Sequence, residues 1–424
     1  MMTITSDRAI MLADCQSFYA SVEKAEQPEY RDMPLAVAGD PERRSGIILA
    51  ACPIAKDRGV TTAERLGDAL AKCPELVIIK PRMGLYIDVS LMITAIHQSY
   101  TDLVEPYSID EQFLDVTGSL QRYGTPQQLA KRIQAHILEE TGIYTRFGIG
   151  NTKILAKTAC DNYAKKNDSG LFTLTKEQLP DTLWTLPIAK MFMVGNRMTR
   201  HFNAMGLETI GQLAATPLEK LKLMMRRKFG RNSDIQAELY WRIANGIDDS
   251  PVFPGTHEAA PTTIGHMMTL PRDYGTLQEL KIILLELTEL VCQRCRSKGY
   301  MGHVVSVGCM GADFDRPSGF NRQMKMDDPT NVTNHVYRCA VQLLQQHWDG
   351  LPVRKVGISL STLLPGNEYQ LSLFDGNREK WMALEKATDA IKAKYGASSI
   401  LRAVSVTAAG QAVDRSKKIG GHYK

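Results

Sequence analysis

Three acidic residues sit where apolar runs end. Asp14 closes Ala9 to Ala13, a short apolar run that reads as a buried strand. Asp110 and Glu111 stand between Tyr107/Ile109 and Phe113/Leu114/Val116, a pattern that reads as a hairpin with acids near its tip. Three carboxylates within a few ångström of one another repel strongly, and divalent cations neutralise such a group. Their hard oxygens suit Mg²⁺, which keeps waters and takes substrate phosphates as further ligands. Two such ions about 3.5–4 Å apart would activate a 3′-hydroxyl and stabilise a leaving pyrophosphate. The spacing leaves a second reading open, in which these are surface acids in turns.

The elements that must position them alternate between strand and helix. Phe18 to Ala25 has helical composition, Leu76 to Lys80 reads as a strand, and Leu85 to Tyr100 carries a helical apolar pattern. Thr125-Pro126 supplies an N-cap followed by Pro at the first helical position, opening a helix to about Glu140; Phe147 to Gly150 follows as a strand. Strand, helix, two strands, helix, strand is the split βαβ arrangement, a sheet with helices on one face. Its first and third strands are neighbours, so Asp14 and the Asp110-Glu111 pair are expected to converge at one edge. Residues 26–75 interrupt this order as an insertion rich in Pro, Gly and charge.

Residues 171 to about 245 read mainly helical, and the Pro- and Gly-bearing stretch 246–262 reads as a linker. A strong helix near Leu277 to Cys295, an alternating stretch at His303 to Val307 and a helix near Asn331 to Trp348 make a second α+β domain. The 424 residues leave room for about three domains. With 44% hydrophobic and 23% charged residues, disorder over most of the chain is excluded. No apolar stretch approaches the ~18 residues of a membrane span. The start lacks the basic-then-apolar order of a signal peptide, and the eight cysteines follow no framework spacing. A soluble cytosolic protein with reduced thiols is expected. The net charge of +5 is concentrated locally: residues 376–424 hold ten Lys or Arg against four acids, and Lys220 to Arg231 holds six positives and no acid. Such patches on a near-neutral body fit a polyanion held in a groove.

LADCQSFYASVE (Leu12 to Glu23) with YSIDEQFLDVTG (Tyr107 to Gly118) resembles the two signature motifs of the Y-family DNA polymerases, nearest to the UmuC-like and DinB-like bacterial branch. The resemblance continues through AKDRGV (Ala55 to Val60), GIGNTKILAKTACDNYAKKN (Gly148 to Asn167), IGHMMTLPRDY (Ile264 to Tyr274) and QLSLFD (Gln370 to Asp375), covering nearly the whole chain. It implies an α+β multidomain fold. A ferredoxin-like palm (1–25 and 76–168) carries small fingers (26–75). A helical thumb with a helix-hairpin-helix (169–245) and a linker (246–262) follow. A little finger (263–362) precedes a clamp-binding motif, a docking helix and a basic tail (363–424).

The resemblance implies that Asp14, Asp110 and Glu111 are the catalytic metal-binding acids, with the Cys15 backbone carbonyl as a further ligand to two Mg²⁺ ions. Phe18 and Tyr19 would face the incoming dNTP, Tyr19 as a steric gate that leaves no room for a 2′-hydroxyl. Lys56 and Lys165 would contact the triphosphate as point charges. At these sites the chain departs from much of the family. Pro53 replaces a Tyr, Lys56 replaces an Arg, and Met193 replaces a hairpin Gly two residues before Gly195. The Val194-Gly195 hairpin, Lys220, Arg226 and Arg227 would hold DNA phosphates. Gln370, Leu371, Leu373 and Phe374 resemble the pentapeptide that binds the bacterial sliding clamp. Cys292 and Cys295 form a lone CxxC without a second pair, and Cys295 falls on an apolar helix face.

Trp381, Leu384, Ile391 and Tyr395 share one helical face, read as the docking face of a helix, and DRSKKIGGHYK at the end reads as disordered. The function expected is a low-fidelity translesion DNA polymerase with primer-template DNA, dNTP, the clamp and, for some UmuC-like members, accessory subunits as partners. It would act in the cytoplasm at the nucleoid, with no membrane. Two alternatives stand beside it: a non-catalytic DNA- or clamp-binding subunit, and a nucleotide cyclase on a related sheet.

Overall fold

The computed structural model describes residues 8–39, 46–254, 260–313, 315–366, 377–419 and 421–423. The chain divides into two compact units that meet in sequence near position 258. In the first, strands run at Ile10–Cys15 (β1), Leu35–Ala38 (β2), Ile48–Ala51 (β3), Val77–Ile79 (β4), Val104–Pro106 (β5), Glu111–Asp115 (β6), Thr145–Gly150 (β7) and Leu171–Thr173 (β8). The main sheet has the order β5-β6-β1-β7-β8, and β1 runs antiparallel to both β6 and β7. All six residues of β1 are buried, as expected of a central strand.

One face of this sheet carries the helices Met83–Gln98 and Pro126–Thr141. His97 Nδ1 lies 2.8 Å from Gln112 Oε1 on β6, and Gln134 donates to the Thr145 carbonyl at 2.7 Å. The second helix opens with the capping box of Thr125 and Gln128 and has Pro at its first turn, as its sequence predicts. The other face is not bare, contrary to the one-sided arrangement expected. Helix Lys153–Asn162 lies on it, because Gly148 and Gly150 of β7 leave no side chains in the way.

A second correction concerns β4. It pairs in parallel with β2, and β2 pairs antiparallel with β3, in a separate small sheet ordered β3-β2-β4. The strand near Leu76 therefore completes the inserted segment and does not belong to the main sheet. Helices from Asn196 to Ala244 then pack around a core that includes Phe202, Leu213, Leu221 and Met225.

The second unit holds strands Thr263–Tyr274 (β9), Tyr300–Gly311 (β10), Gly319–Thr330 (β11) and Val353–Pro365 (β12) in the order β11-β10-β12-β9. The helices Leu277–Ser297 and Thr333–His347 bury one face of it against Val305, Val307, Val356, Ile358 and Leu360. Cys292 and Cys295 are buried in that core. On the opposite face the register places Gly265, Gly308 and Gly357 beside Ser306 and Ser359, with Lys325 and Lys355 towards its edges.

Helix Arg378–Tyr395 forms and packs on the preceding helices, but of the expected apolar face only Trp381 is half-buried. Leu384, Ile391 and Tyr395 are exposed, while Glu385 and Lys392 are buried. Arg296 pairs with Glu385 and, at 2.6 Å, with Asp389, and Lys392 reaches Glu289 at 3.2 Å. Ion pairs to helix Leu277–Ser297 thus choose the inward face. The terminal stretch is also ordered where it is described. It forms a helix at Ala412–Ser416 and a hairpin of Lys418–Ile419 with His422–Tyr423. Its anchor is the buried Glu286 carboxylate, which accepts from the Gln411 N–H at 3.0 Å and from Arg415 at 3.4 Å. Among the described residues, no helix is long and apolar enough to cross a membrane.

Candidate active site

Strand pairing brings the first two carboxylates together. Asp14, next to last in β1, lies opposite Glu111 of β6 and Arg146 of β7. Directly paired residues share a face, so the three side chains leave the sheet side by side. The Cys15 N–H donates to the Asp110 carbonyl at 2.9 Å, tying the hairpin turn to the end of β1. On the same face, helix Lys153–Asn162 sits so close that a Cβ at Gly148 would be 2.0 Å from the Ala156 carbonyl oxygen. It brings Lys157 and Asp161, one turn apart, up to the pair.

Two ammonium groups lie among three carboxylates. Lys157 Nζ donates to Glu111 Oε1 at 2.6 Å and to Asp161 Oδ1 at 3.3 Å. Lys165 Nζ is 2.6 Å from Asp14 Oδ2, 2.8 Å from Asp161 Oδ1 and 3.7 Å from Glu111 Oε1. Burial pushes the Asp14 carboxyl up to about 7, aided by its hydrogen bond with Glu111 and only partly offset by Lys165. Burial also opposes ionisation of Glu111. There, however, the hydrogen bonds with Asp14 and Lys157 and the positive charge of both lysines win, and its carboxyl lies below the usual range.

Asp14, Glu111 and Asp161 each offer an oxygen within 4.8 Å of the others. An all-oxygen donor set, Asp14 buried and Glu111 and Asp161 half-buried, with three carboxylates against two ammonium groups, fits a hard divalent cation. The sequence reading puts Asp110 in this cluster. In the structure Asp161 is the third acid within reach of Asp14 and Glu111, while Asp110 Oδ1 accepts from Ser108 Oγ at 2.6 Å. Asp110 still lines the same pocket.

That pocket, of about 620 Å³, is bounded by the turn Asp14 to Tyr19, by Leu49 to Ala51, and by Lys56, Thr62, Asp110, Glu111, Arg146 and Lys165. The turn enters helix Phe18–Glu26 through Ser17 in the left-handed region, at φ 51°. Phe18 and Tyr19 both line the pocket, Phe18 largely buried and Tyr19 with its ring stacked on Tyr86, the centroids 4.5 Å apart and the planes 18° from parallel. Burial raises the Cys15 thiol far out of its reactive range, so its sulfur carries no chemistry here. Lys56 stands on the short helix Pro53–Asp57, with Pro53 at its first turn, and donates to Ser17 Oγ at 2.8 Å. Arg146 bonds to the Lys165 carbonyl, which ties the Lys165 backbone to β7. Lys157, Asp161 and Arg146 were not singled out from sequence. The recurrence Lys157, Asp161, Lys165 at intervals of four could have found the first two.

The hairpin of the helical region is built around Met193, whose φ of 65° is the left-handed conformation that a glycine would take without strain. Gly195 caps helix Asn196–Ala204. Residues Lys190 to Gly195 form a pocket of about 420 Å³ with Thr158, Asp161 and Asn162, so the hairpin opens beside the acidic cluster. Lys220, Arg226 and Arg227 are exposed on helix Leu218–Phe229. Arg226 is already engaged, its fork meeting Asp234 at 2.6 and 2.5 Å. Gln370, Leu371, Leu373 and Phe374 lie outside the described residues.

Comparison with known proteins extends over the same residues. The model of the impB/mucB/samB family matches residues 13–161, and that of the family's C-terminal domain matches 261–373. The chain is 54% identical over 419 residues to "DNA polymerase IV 2" of Bacillus subtilis (strain 168), covering 99% of both chains. It is 49% identical to "DNA polymerase IV 2" of Halalkalibacterium halodurans, covering 99% of this chain and 100% of that one. It is also 37% identical to "Putative UV-damage repair protein UvrX" of Bacillus subtilis (strain 168), over 97% of each. Among solved structures, "Y-family DNA polymerase chimera Dbh-Dpo4(243-245)-Dbh" has the same fold, with a TM-score of 0.69 at 22% identity over 84% of this chain and 99% of that one. With its acids paired across β1 and β6 and its relatives matched end to end, this chain belongs to the impB/mucB/samB family, the UmuC- and DinB-like branch of the Y-family DNA polymerases.

Proposed function

We propose that this protein is a translesion DNA polymerase that adds deoxynucleotides to a primer 3′-end at low fidelity. The observation that carries the reading is the register that sets Asp14 against Glu111 in a pocket also holding Tyr19, Lys56 and Lys165. It occurs in a chain matched over 99% of its length by proteins named as DNA polymerases. Asp14, Asp110 and Glu111, with the Cys15 carbonyl, would hold Mg²⁺, and Asp161 stands close enough to join them. The bound metal supplies charge neutralisation and activation of the attacking hydroxyl.

The remaining chemistry falls to the chain's own groups. Lys165 and Lys56 face the pocket and meet the triphosphate as point charges. Tyr19 presents its ring to the sugar and excludes a 2′-hydroxyl by shape. Ala50 and Ala51 offer small side chains on the side of the inserted sheet, so the nascent pair is loosely checked and a distorted template base is accommodated. The hairpin at Gly195, with Lys220 and Arg227, grips backbone phosphates without reading sequence. The Gly- and Ser-rich face of β9 to β12, with Lys325 and Lys355, does the same in the second unit. Gln370 to Phe374 would recruit the sliding clamp.

Primer extension by the purified protein tests this. Wild type extends a primed template with Mg²⁺, and the Asp110→Ala/Glu111→Ala variant does not. Equal extension by the two would end the catalytic assignment, and a cyclic nucleotide product would turn it towards the cyclase. Clamp binding unchanged by Leu373→Ala with Phe374→Ala would remove that motif.

A further inference from the structure

The mechanism above uses Tyr19 but not what stands behind it. Tyr19 and Glu23 lie one turn apart on helix Phe18–Glu26 and so share a face. Across from them, Tyr86 on helix Met83–Gln98 is fully buried. Its ring stacks on Tyr19 at 4.5 Å, and its hydroxyl donates to Glu23 Oε1 at 2.6 Å. Glu23 is itself fully buried, and its other oxygen accepts from Gln27 Nε2 at 3.2 Å.

The helix therefore holds one phenol at two points, by its face at Tyr19 and by its oxygen at Glu23. A buried carboxylate is a costly way to hold a hydroxyl, since an ordinary core position would take an apolar pair. What it provides is position: a 2.6 Å hydrogen bond fixes the hydroxyl far more tightly than packing fixes a ring.

We infer that Glu23 and Tyr86 are positioning residues for sugar selection, a backstop that prevents the Tyr19 ring from retreating when a ribonucleotide enters. A shape-based gate discriminates only as well as it resists displacement. If the ring behind Tyr19 can slide, Tyr19 tilts away and the 2′-hydroxyl is admitted at little cost. With Tyr86 pinned, that motion must break a buried hydrogen bond as well as the stacking. This inference rests on the proposed role of Tyr19 as the gate.

The test is the ratio of kcat/KM for a deoxynucleotide to that for its ribonucleotide, opposite one template base, in wild type and four variants. Tyr86→Phe keeps the ring and loses the bond, and Glu23→Ala removes the acceptor. Each is expected to lower the ratio about five- to tenfold, the size of one lost buried hydrogen bond. The deoxynucleotide kcat/KM should change less than threefold. Glu23→Gln keeps a carbonyl at the acceptor position and is expected to restore most of the ratio, which a general loosening of the core would not do. Tyr19→Ala is the control, with a larger loss of discrimination. If Tyr19→Ala relaxes selection while Tyr86→Phe leaves the ratio unchanged, the backstop is refuted and the gate survives. If Tyr19→Ala itself has no effect, the gate reading fails and this inference with it. Because Tyr86→Phe deletes a single oxygen, it keeps the test decisive should Glu23→Ala not fold.

Discussion

Replacing His97 by Gln should change how the first unit responds to acid. His97 is fully buried on the helix-covered face of the main sheet, with Nδ1 against Gln112 and Nε2 without a partner among the described residues. Burial lowers its imidazole to about 4 from the ordinary 6.5, and the bond to Gln112 offsets this only in part. The unfolded chain therefore takes up a proton near pH 6.5, while the folded protein resists until pH 4. Stability is greatest above 6.5, declines as pH falls between the two values, and levels off below 4. The full span is worth about 3 kcal/mol, and about 2 kcal/mol of it is lost by pH 5. The raised Asp14 carboxyl acts in the opposite sense, because the folded state binds its proton first. It is common to both proteins and cancels in the difference. Gln at 97 can still donate to Gln112 and does not titrate.

The assay is urea unfolding in EDTA at pH 7.5, 6 and 5. With Trp348 and Trp381 changed to Phe, fluorescence reports only on Trp184 and Trp241, which pack in the helical core of the first unit. At pH 5 the wild type should have lost about 2 kcal/mol more than the variant. Parallel profiles from pH 7.5 to 5 would show that His97 takes up its proton as readily in the folded state as in the unfolded chain, and the burial argument would be wrong.

Gly148→Ala would drive a methyl into the backbone of helix Lys153–Asn162, 2.0 Å from one carbonyl oxygen and 2.3 Å from the Cys160 nitrogen. A loss of about 3 kcal/mol in denaturant midpoint, together with loss of primer extension, is expected. Met193→Gly relieves a left-handed residue at an exposed position and should gain about 0.5–1 kcal/mol, read as a higher Tm; a lower Tm would refute the strain. Asp161→Asn should weaken Mn²⁺ binding about tenfold by calorimetry, and unchanged affinity would exclude Asp161 from the metal group. Arg226→Ala should leave primer-template affinity within twofold, because Asp234 already neutralises it. Arg227→Ala should instead reduce the salt slope by about one in fluorescence anisotropy.

The sheet and its acids were legible because they rest on local signals. An apolar run ending in Asp14, a hairpin carrying Asp110-Glu111, and a Thr-Pro helix start each show in a few adjacent letters. What escaped depends on partners distant in sequence. Nothing in GIG announces that its glycines admit a helix to the second face of the sheet, and without that contact Lys157 and Asp161 look like surface charges. The strand at Val77–Ile79 carries no mark of which sheet it joins, since β2 lies about forty residues earlier. The docking helix misled for a physical reason: its apolar stripe has the right period, but half-buried Arg296 needs Glu385 and Asp389, and leaving that charge unpaired would cost more than exposed leucine. The terminal stretch reads as a solvated basic tail until Glu286 is known to be buried opposite it.

Because β1 is paired on both edges, its alignment also acts as a proofreading device for the protein itself. Sliding it by a single position along Glu111 to Asp115 would carry the Asp14 carboxylate through the sheet to the side occupied by Phe147 and His97. There it would meet the Phe147 ring and a neutral imidazole, and no ammonium group. A misthreaded molecule is therefore both unstable and unable to gather the acids, so a population of chains contains few that are folded wrongly yet still reactive.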